Sequence, residues 1–275
     1  MKTWFITGAS RGFGALVTER ALAKGDAVVA TARDAAAINK RFGDHPNLLA
    51  VALDVTDERQ AADAAEEAIA RFGRVDVLLN NAGYGLVGAI EESSAAEVEA
   101  IYRTNVFGLL TVTRAVLPHM REARSGRILN ISSIGGYRGA AGFGIYSSTK
   151  FAVEGLSEAL HAELAPLGIH VTVIEPGYFR TDFLDASSLN VTPTTIDDYA
   201  ATAGRVRSVA AGLNHAQPGD PAKLAKVLVE FVDAPNPPVR LPLGSDTVAA
   251  IEAKHQSDAK ILSDWGQVSI STDFS

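Results

Sequence analysis

The sequence predicts one α/β domain built on a doubly wound, seven-stranded parallel sheet with helices on both faces. Short β-branched and apolar runs recur at residues 4–7, 27–32, 48–53, 75–80, 127–132 and 169–175. They are nearly continuous in apolar residues, as strands buried on both faces must be. Helical stretches separate them, and that alternation calls for parallel strands joined by right-handed crossovers. A chain of 275 residues that is 47% apolar could hold one large domain or two small ones. It has ample core-forming residues, and no linker precedes Gly177.

The first run is followed directly by Thr7-Gly8-Ala9-Ser10-Arg11-Gly12-Phe13-Gly14, with a helix beginning near Phe13. Glycines let the backbone turn tightly and approach a pyrophosphate, whose charge the helix N-terminus then meets. The spacing Gly-x-x-x-Gly-x-Gly differs from Gly-x-Gly-x-x-Gly and a plain turn also uses glycines, but its place after a strand favours a dinucleotide cradle. A dinucleotide unit for NAD carries an acid about 20 residues beyond the glycines. Here the second run ends Ala30-Thr31-Ala32 without one, and Arg33 follows. Arg33 and Arg11 can flank a 2′-phosphate with charge-assisted hydrogen bonds, so NADP is favoured over NAD. The alternative is a solvated Arg33 paired with Asp34.

Further along, residues 57–72 place Ala61, Ala65, Ala68, Ile69 and Phe72 on one helical face, with Asp57 and Glu58 in the first turn and Gly73 past the end. A longer helix follows Asn105 through Leu109, Leu110, Val112, Val116 and Leu117, and another covers 146–164 with Val153, Leu156 and Leu160 at helical spacing. After Pro176-Gly177 the pattern weakens. Residues 178–218, with helical patches around 196–209, read as a substrate lid at the carboxyl side of a strand, or else as a mobile surface loop. A helix at 221–232 and a proline-flanked edge strand at 237–243 close the domain. Residues 245–275 form a C-terminal extension: either a helix over 247–262 with a tail on a neighbour, or a frayed end.

Composition excludes several functions. A net charge of -7 disfavours nucleic acid. The chain has no cysteine, which removes disulfides and thiolate chemistry and is compatible with a reducing cytoplasm. The first residues hold too short an apolar core for a signal peptide, and no 18-residue apolar span occurs. A soluble cytoplasmic protein without a membrane partner is expected. His45, His119, His161, His170, His215 and His255 show no metal-ligand spacing, and neither paired carboxylates nor a Gly-x-Ser-x-Gly elbow suggest hydrolysis. No metal is expected.

Tyr146 and Lys150 stand one helical turn apart on one face. A nearby ammonium stabilises phenolate and lowers the tyrosine pKa from about 10 toward the range a proton donor to a carbonyl needs. Alone the pair is no more than an amphipathic surface pair. Ser133 changes that: it lies at the carboxyl end of the run 127–132, the edge where doubly wound sheets bind ligands, and its hydroxyl can share charge developing on a substrate oxygen.

With these residues the chain resembles the short-chain dehydrogenase/reductase family, a Rossmann-fold family, over residues 3–245. The matching stretches are the glycine turn, Asp54-Val55, Asn80-Asn81-Ala82-Gly83, Asn105, Ser133, Tyr146-Ser147-Ser148-Thr149-Lys150 and Pro176-Gly177. The resemblance implies a tetrad in which Tyr146 is the general acid/base and Ser133 polarises the carbonyl. Lys150 would bind the nicotinamide ribose and depress the tyrosine pKa, and Asn105 would hold a water in a proton relay. It also implies that Asp54 and Val55 contact adenine, that Asn81 and Gly83 lie beside the adenosine ribose, that Thr181 touches the nicotinamide carboxamide, and that Ala82, Pro176 and Gly177 also bind the cofactor. Ser133 rather than Ser132 is chosen because the family's serine-to-tyrosine interval is thirteen. Singly, Asn105 is also a helix kink or cap, Asn80 and Asn81 satisfy turn groups, and Asp54 caps before Thr56.

An NADPH-dependent reductase of a ketone or aldehyde is therefore expected, with a loose similarity to the carbonyl reductase and 17β-hydroxysteroid dehydrogenase branch. The alternatives are an NAD-dependent alcohol dehydrogenase and a cofactor-binding sensor or scaffold without turnover. Tyr84, Ile134, Tyr137, Phe143, Tyr178, Phe179, Phe183 and Leu184 are expected to form an apolar pocket for a hydrophobic substrate. The resemblance further implies a homodimer or homotetramer, built from the helices after Asn105 and Tyr146 and the edge near Leu241.

Overall fold

In the computed structural model, which describes residues 1–274, the strands form where the apolar runs leave both faces to be covered. They are β1 (Thr3–Thr7), β2 (Ala27–Ala32), β3 (Leu48–Ala52), β4 (Val77–Asn80), β6 (Gly126–Ile131), β7 (Ile169–Pro176) and β9 (Arg240–Leu243). All pair parallel in the order β3-β2-β1-β4-β6-β7-β9. Successive side chains point to opposite faces. Trp4 and Ile6 therefore enter one core with Val17, Ala21 and Leu228, while Phe5 enters the other with Val112, Val116 and Ile128. The first core lies under α1 (Gly12–Ala23) and α8 (Pro221–Phe231); the second lies under α3 (Glu58–Phe72), α5 (Leu109–Ala123) and α6 (Gly144–Leu164).

Helix ends follow local chemistry. Asp57 caps α3 by accepting from the N–H groups of Arg59 and Gln60, and Gly73 ends it at φ 78°. Asp34 caps α2 (Ala35–Phe42) and Asp220 caps α8, whose first residue is Pro221. The helix before α5 has two parts: α4 (Ala95–Tyr102), then a π-helical stretch at Arg103–Gly108 that carries Asn105.

The segment at 178–218 is more ordered than a plain loop. Within it β8 (Leu189–Val191) pairs parallel with β5 (Gly85–Val87) in a separate two-stranded sheet, and α7 (Arg205–Leu213) packs over it. The edge strand is shorter than 237–243, since Pro237 and Pro238 have no N–H to donate. The C-terminal helix α9 spans Ser245–Ile270, longer at both ends than 247–262 and not frayed, with Ile261, Leu262, Trp265 and Val268 on its exposed part. Among the described residues no helix is long and apolar enough to cross a membrane.

Candidate active site

The strand order reverses between β1 and β4, and a cleft of about 960 Å³ opens there at the carboxyl ends of the sheet. Every site residue expected from the sequence lines it except Gly14 and Asn105, which stand just behind its wall. Gly8 turns the chain at φ +66°, and a Cβ on Gly14 would lie 2.5 Å from the Gly8 carbonyl oxygen. Only glycine permits that approach. Asn81 fastens this turn from β4: its Nδ2 donates to the Thr7 and Gly8 carbonyls at 2.8 and 3.1 Å. Thr7 Oγ1 in turn accepts from the N–H groups of Asn81 and Ala82. The cradle fits a pyrophosphate: Gly8 and Gly12 line it without side chains, and α1 begins at its rim.

At the end of β2 Arg33 makes no ion pair among the described residues, and Asp34 instead caps α2 at the Ala36 N–H. Arg11, expected to flank a 2′-phosphate with Arg33, lines the cleft and donates from Nη2 to the Ser187 carbonyl at 2.6 Å. Asp54 accepts from the Thr56 N–H and hydroxyl, so it forms a turn at the cleft edge.

Tyr146 and Lys150 emerge together from the first two turns of α6, both buried. The Lys150 amine donates to the Ile131 carbonyl at 2.8 Å and lies 5.8 Å from the Tyr146 ring centroid. Phe143 and Phe183 cover the phenol ring, at 6.1 and 5.6 Å between centroids. Ser133 caps the short turn after β6 by accepting from the Gly135 N–H at 3.1 Å. Asn105 is held at both ends of its amide: Oδ1 accepts from the Tyr84 N–H at 3.0 Å, and Nδ2 donates to the Tyr84 carbonyl and to Thr149 Oγ1. Gly83 allows this, since a Cβ there would stand 3.1 Å from Asn105 Oδ1.

The expected depression of the tyrosine pKa is not what this arrangement produces. Burial pushes Tyr146 up to about 12, with the Ser133 hydroxyl working the other way, and burial pushes Lys150 down to about 8 while Glu154 raises it. The physical reason is that the amine bonds a main-chain carbonyl rather than the phenol, so removal from water dominates both groups.

Tyr137 is a second correction, for it does not line the cleft. Its ring covers the Arg240 guanidinium at 5.2 Å and its hydroxyl meets His255 of α9. The other seven aromatic and aliphatic residues expected there do line it. Residues the sequence reading passed over are Asp246 and Gln217. Asp246 accepts from the Tyr178 N–H at 2.8 Å, and its carboxylate occupies the space a Gly177 side chain would need. Gln217 is buried under Thr181, donating to its carbonyl. Neither has a local sequence signal; both act across long separations.

Residues 2–191 match the short chain dehydrogenase family. The chain belongs to that family. It is 39% identical to the oxidoreductase BOA17 of Botryotinia fuckeliana, covering 98% of this chain and 99% of that protein. It is also 39% identical to the 3-ketodihydrosphingosine reductase of Bacteroides thetaiotaomicron, covering 92% and 91%. The solved short-chain dehydrogenase from Streptomyces avermitilis superposes with a TM-score of 0.92 at 43% identity, covering 99% of each chain. More distant solved members include ElxO with NADP bound, at 27% identity and TM-score 0.73 over 90% of this chain and 99% of that one. Another, from Burkholderia phymatum in complex with NAD, has TM-score 0.81 at 24% identity over 94% of each chain. As a short-chain dehydrogenase the chain is a nicotinamide-dependent oxidoreductase acting on alcohol and carbonyl groups, on a single-domain Rossmann-like sheet.

Proposed function

We propose that this short-chain dehydrogenase reduces a ketone or aldehyde with NADPH, and that Arg33 selects the phosphorylated cofactor. The observation that carries the cofactor choice is the end of β2: the strand itself ends without an acid, Asp34 beyond it is engaged in capping α2, and Arg33 opens onto the cleft without an ion pair among the described residues. Gly8, Ser10, Gly12 and Phe13 would cradle the pyrophosphate, Asp54 and Val55 the adenine, Asn81, Ala82 and Gly83 its ribose, and Lys150, Pro176, Gly177 and Thr181 the nicotinamide half. When bound, the cofactor supplies the hydride.

The chain's own residues supply position and a proton. Ser133 orients the substrate carbonyl and Tyr146 donates the proton to its oxygen, while Lys150 holds positive charge beside it. Both N–H groups of the Asn105 amide are engaged, so it would hold the water of a proton relay only as an acceptor. Phe143, Phe183, Leu184 and Tyr84 give the substrate end an apolar wall, which suits a hydrophobic carbonyl compound such as the 3-ketodihydrosphingosine in the name of the Bacteroides relative. Segment 178–218 acts as the substrate lid. Exposed Phe107 and Phe151, on the helical elements after Asn105 and Tyr146, support assembly into a homodimer or homotetramer.

The test is steady-state turnover of a panel of ketones, aldehydes and alcohols with NADPH and NADH, for the wild type and Arg33→Ala. Loss of charged hydrogen bonds worth about 1.5–3 kcal/mol should raise the KM for NADPH roughly 10-fold or more and leave that for NADH nearly unchanged. Equal effects on both cofactors would remove the phosphate role.

A further inference from the structure

Behind the tetrad lies a buried acid cluster for which the reaction described above has no use. Glu154 follows Lys150 by one turn on the same face of α6, its side chain 4% exposed, and Glu175, near the end of β7, is 1% exposed. Arg240, from β9, reaches both: Nη2 lies 3.5 Å from Glu154 Oε2, and Nη1 lies 3.4 Å from Glu175 Oε1. It also holds the half-exposed Glu158 at 2.9 Å. Three carboxyl groups thus surround one guanidinium. Neither oxygen of Glu154 accepts a hydrogen bond among the described residues, and the buried Oγ of Ser132, beside Ser133, has no partner. From the remaining side Tyr137 covers Arg240, with His255 of α9 on its hydroxyl.

Buried carboxylates this close to one another, and this loosely paired, do not both stay ionised; one proton relieves the repulsion and the cost of burial. We propose that Glu154 and Glu175 hold one proton between them beneath Arg240, and that Glu154 is a positioning residue whose charge keeps the Lys150 amine an ammonium. This rests on the place given to Lys150 above. The directions agree. Burial raises both acids, Glu175 to about 7 with the charge of Glu154 adding to it, and Glu154 is the group that lifts Lys150 against its burial. The proton belongs to the pair rather than to either residue.

The experiment follows the Nζ resonances of the full chain, labelled with 15N-lysine and without any ligand, as pH is raised. Lys150 is assigned as the signal absent from Lys150→Arg. Its midpoint should lie near 8 in the wild type. In Glu154→Gln it should fall by about half a pH unit or more. In Glu175→Gln it should hold or rise, because Glu154 then carries its charge without sharing a proton. A midpoint unmoved by Glu154→Gln, or one lowered equally by both substitutions, overturns the proposal, since equal shifts report general loosening. Should Glu154→Gln fail to fold, Glu154→Asp takes its place: withdrawing the carboxylate must lower the midpoint part of the way, and no change overturns the inference. The carbonyl panel with NADPH tests the proposed function separately. A chain inert in that panel whose lysine midpoint shifts as stated loses the functional reading and keeps the acid pair.

Discussion

Burial holds the Tyr146 phenol at about 12 and the Lys150 amine at about 8, and on the proposed mechanism these shifts set the pH dependence of the reaction. Carbonyl reduction needs the phenol protonated and the amine charged. Both conditions hold below pH 8, and the second fails as pH rises through that value. The kcat for reduction should therefore be flat at neutral pH and decline above about 8, while alcohol oxidation, which needs a proton acceptor, gains on the same side. Tyr146→Phe removes the donor and keeps the packing against Phe143 and Phe183. It should lower kcat by about 10²–10⁴-fold and leave NADPH binding, read by fluorescence quenching, nearly unchanged. Retained kcat would disqualify the phenol as the acid.

At the scale of elements, the segment over the cleft is fastened by one buried ion pair. Glu92, in the turn after β5, is fully buried; its carboxylate accepts from the N–H groups of Ala89 and Ile196 and pairs with Arg207 of α7. Arg207 Nη2 also donates to Thr192 Oγ1 at 3.0 Å. Removing Arg207 leaves the Glu92 carboxylate held by its two main-chain N–H groups alone, without a countercharge. Arg207→Met should then loosen the segment, raise the KM for the carbonyl substrate more than that for NADPH, and speed limited proteolysis between residues 182 and 213. Unchanged KM and proteolysis would show that α7 does not govern access. These are the features the sequence conveyed least. Six strands of the main sheet were legible because burial on both faces leaves continuous apolar runs, the edge strand β9 because prolines flank it, and the glycine turn, Ser133, Tyr146 and Lys150 because their chemistry demands fixed residues at short spacing. By contrast β5 and β8 are three residues each and too short to show a period, and α9 extends past Leu262 with an exposed apolar stripe that no burial pattern marks. Tyr137 read as a pocket aromatic because its loop is right; where its ring points depends on Arg240, over 100 residues away.

For the molecule as a whole, assembly and stability both follow from groups placed on or beside α6. Phe151 is 45% exposed one residue after Lys150, and if the proposed dimer uses that face, Phe151→Glu should shift the mass seen by light scattering to that of a monomer. Between α6 and the sheet the acid cluster lowers stability in a pH-dependent way. Burial and the charge of Glu154 raise Glu175 in the folded chain to about 7, from the ordinary 4.5 of a glutamate. The folded chain thus binds more protons than the unfolded one between those values, so stability is lost as pH rises from about 4.5 through 7. Lys150 runs oppositely: its folded value of about 8 lies below 10.5, so the folded chain has the lower proton affinity there and stability recovers as pH rises from about 8 toward 10.5. Glu175→Gln keeps the shape of the protonated acid and deletes its charge. Thermal unfolding should therefore find the variant close to wild type at pH 5 and more stable at pH 8, by about 1–3 kcal/mol when the pH-linked cost is removed. A variant less stable than wild type at both pH values would mean that Glu175 is ionised in the folded chain and that its pairing with Arg240 outweighs its burial.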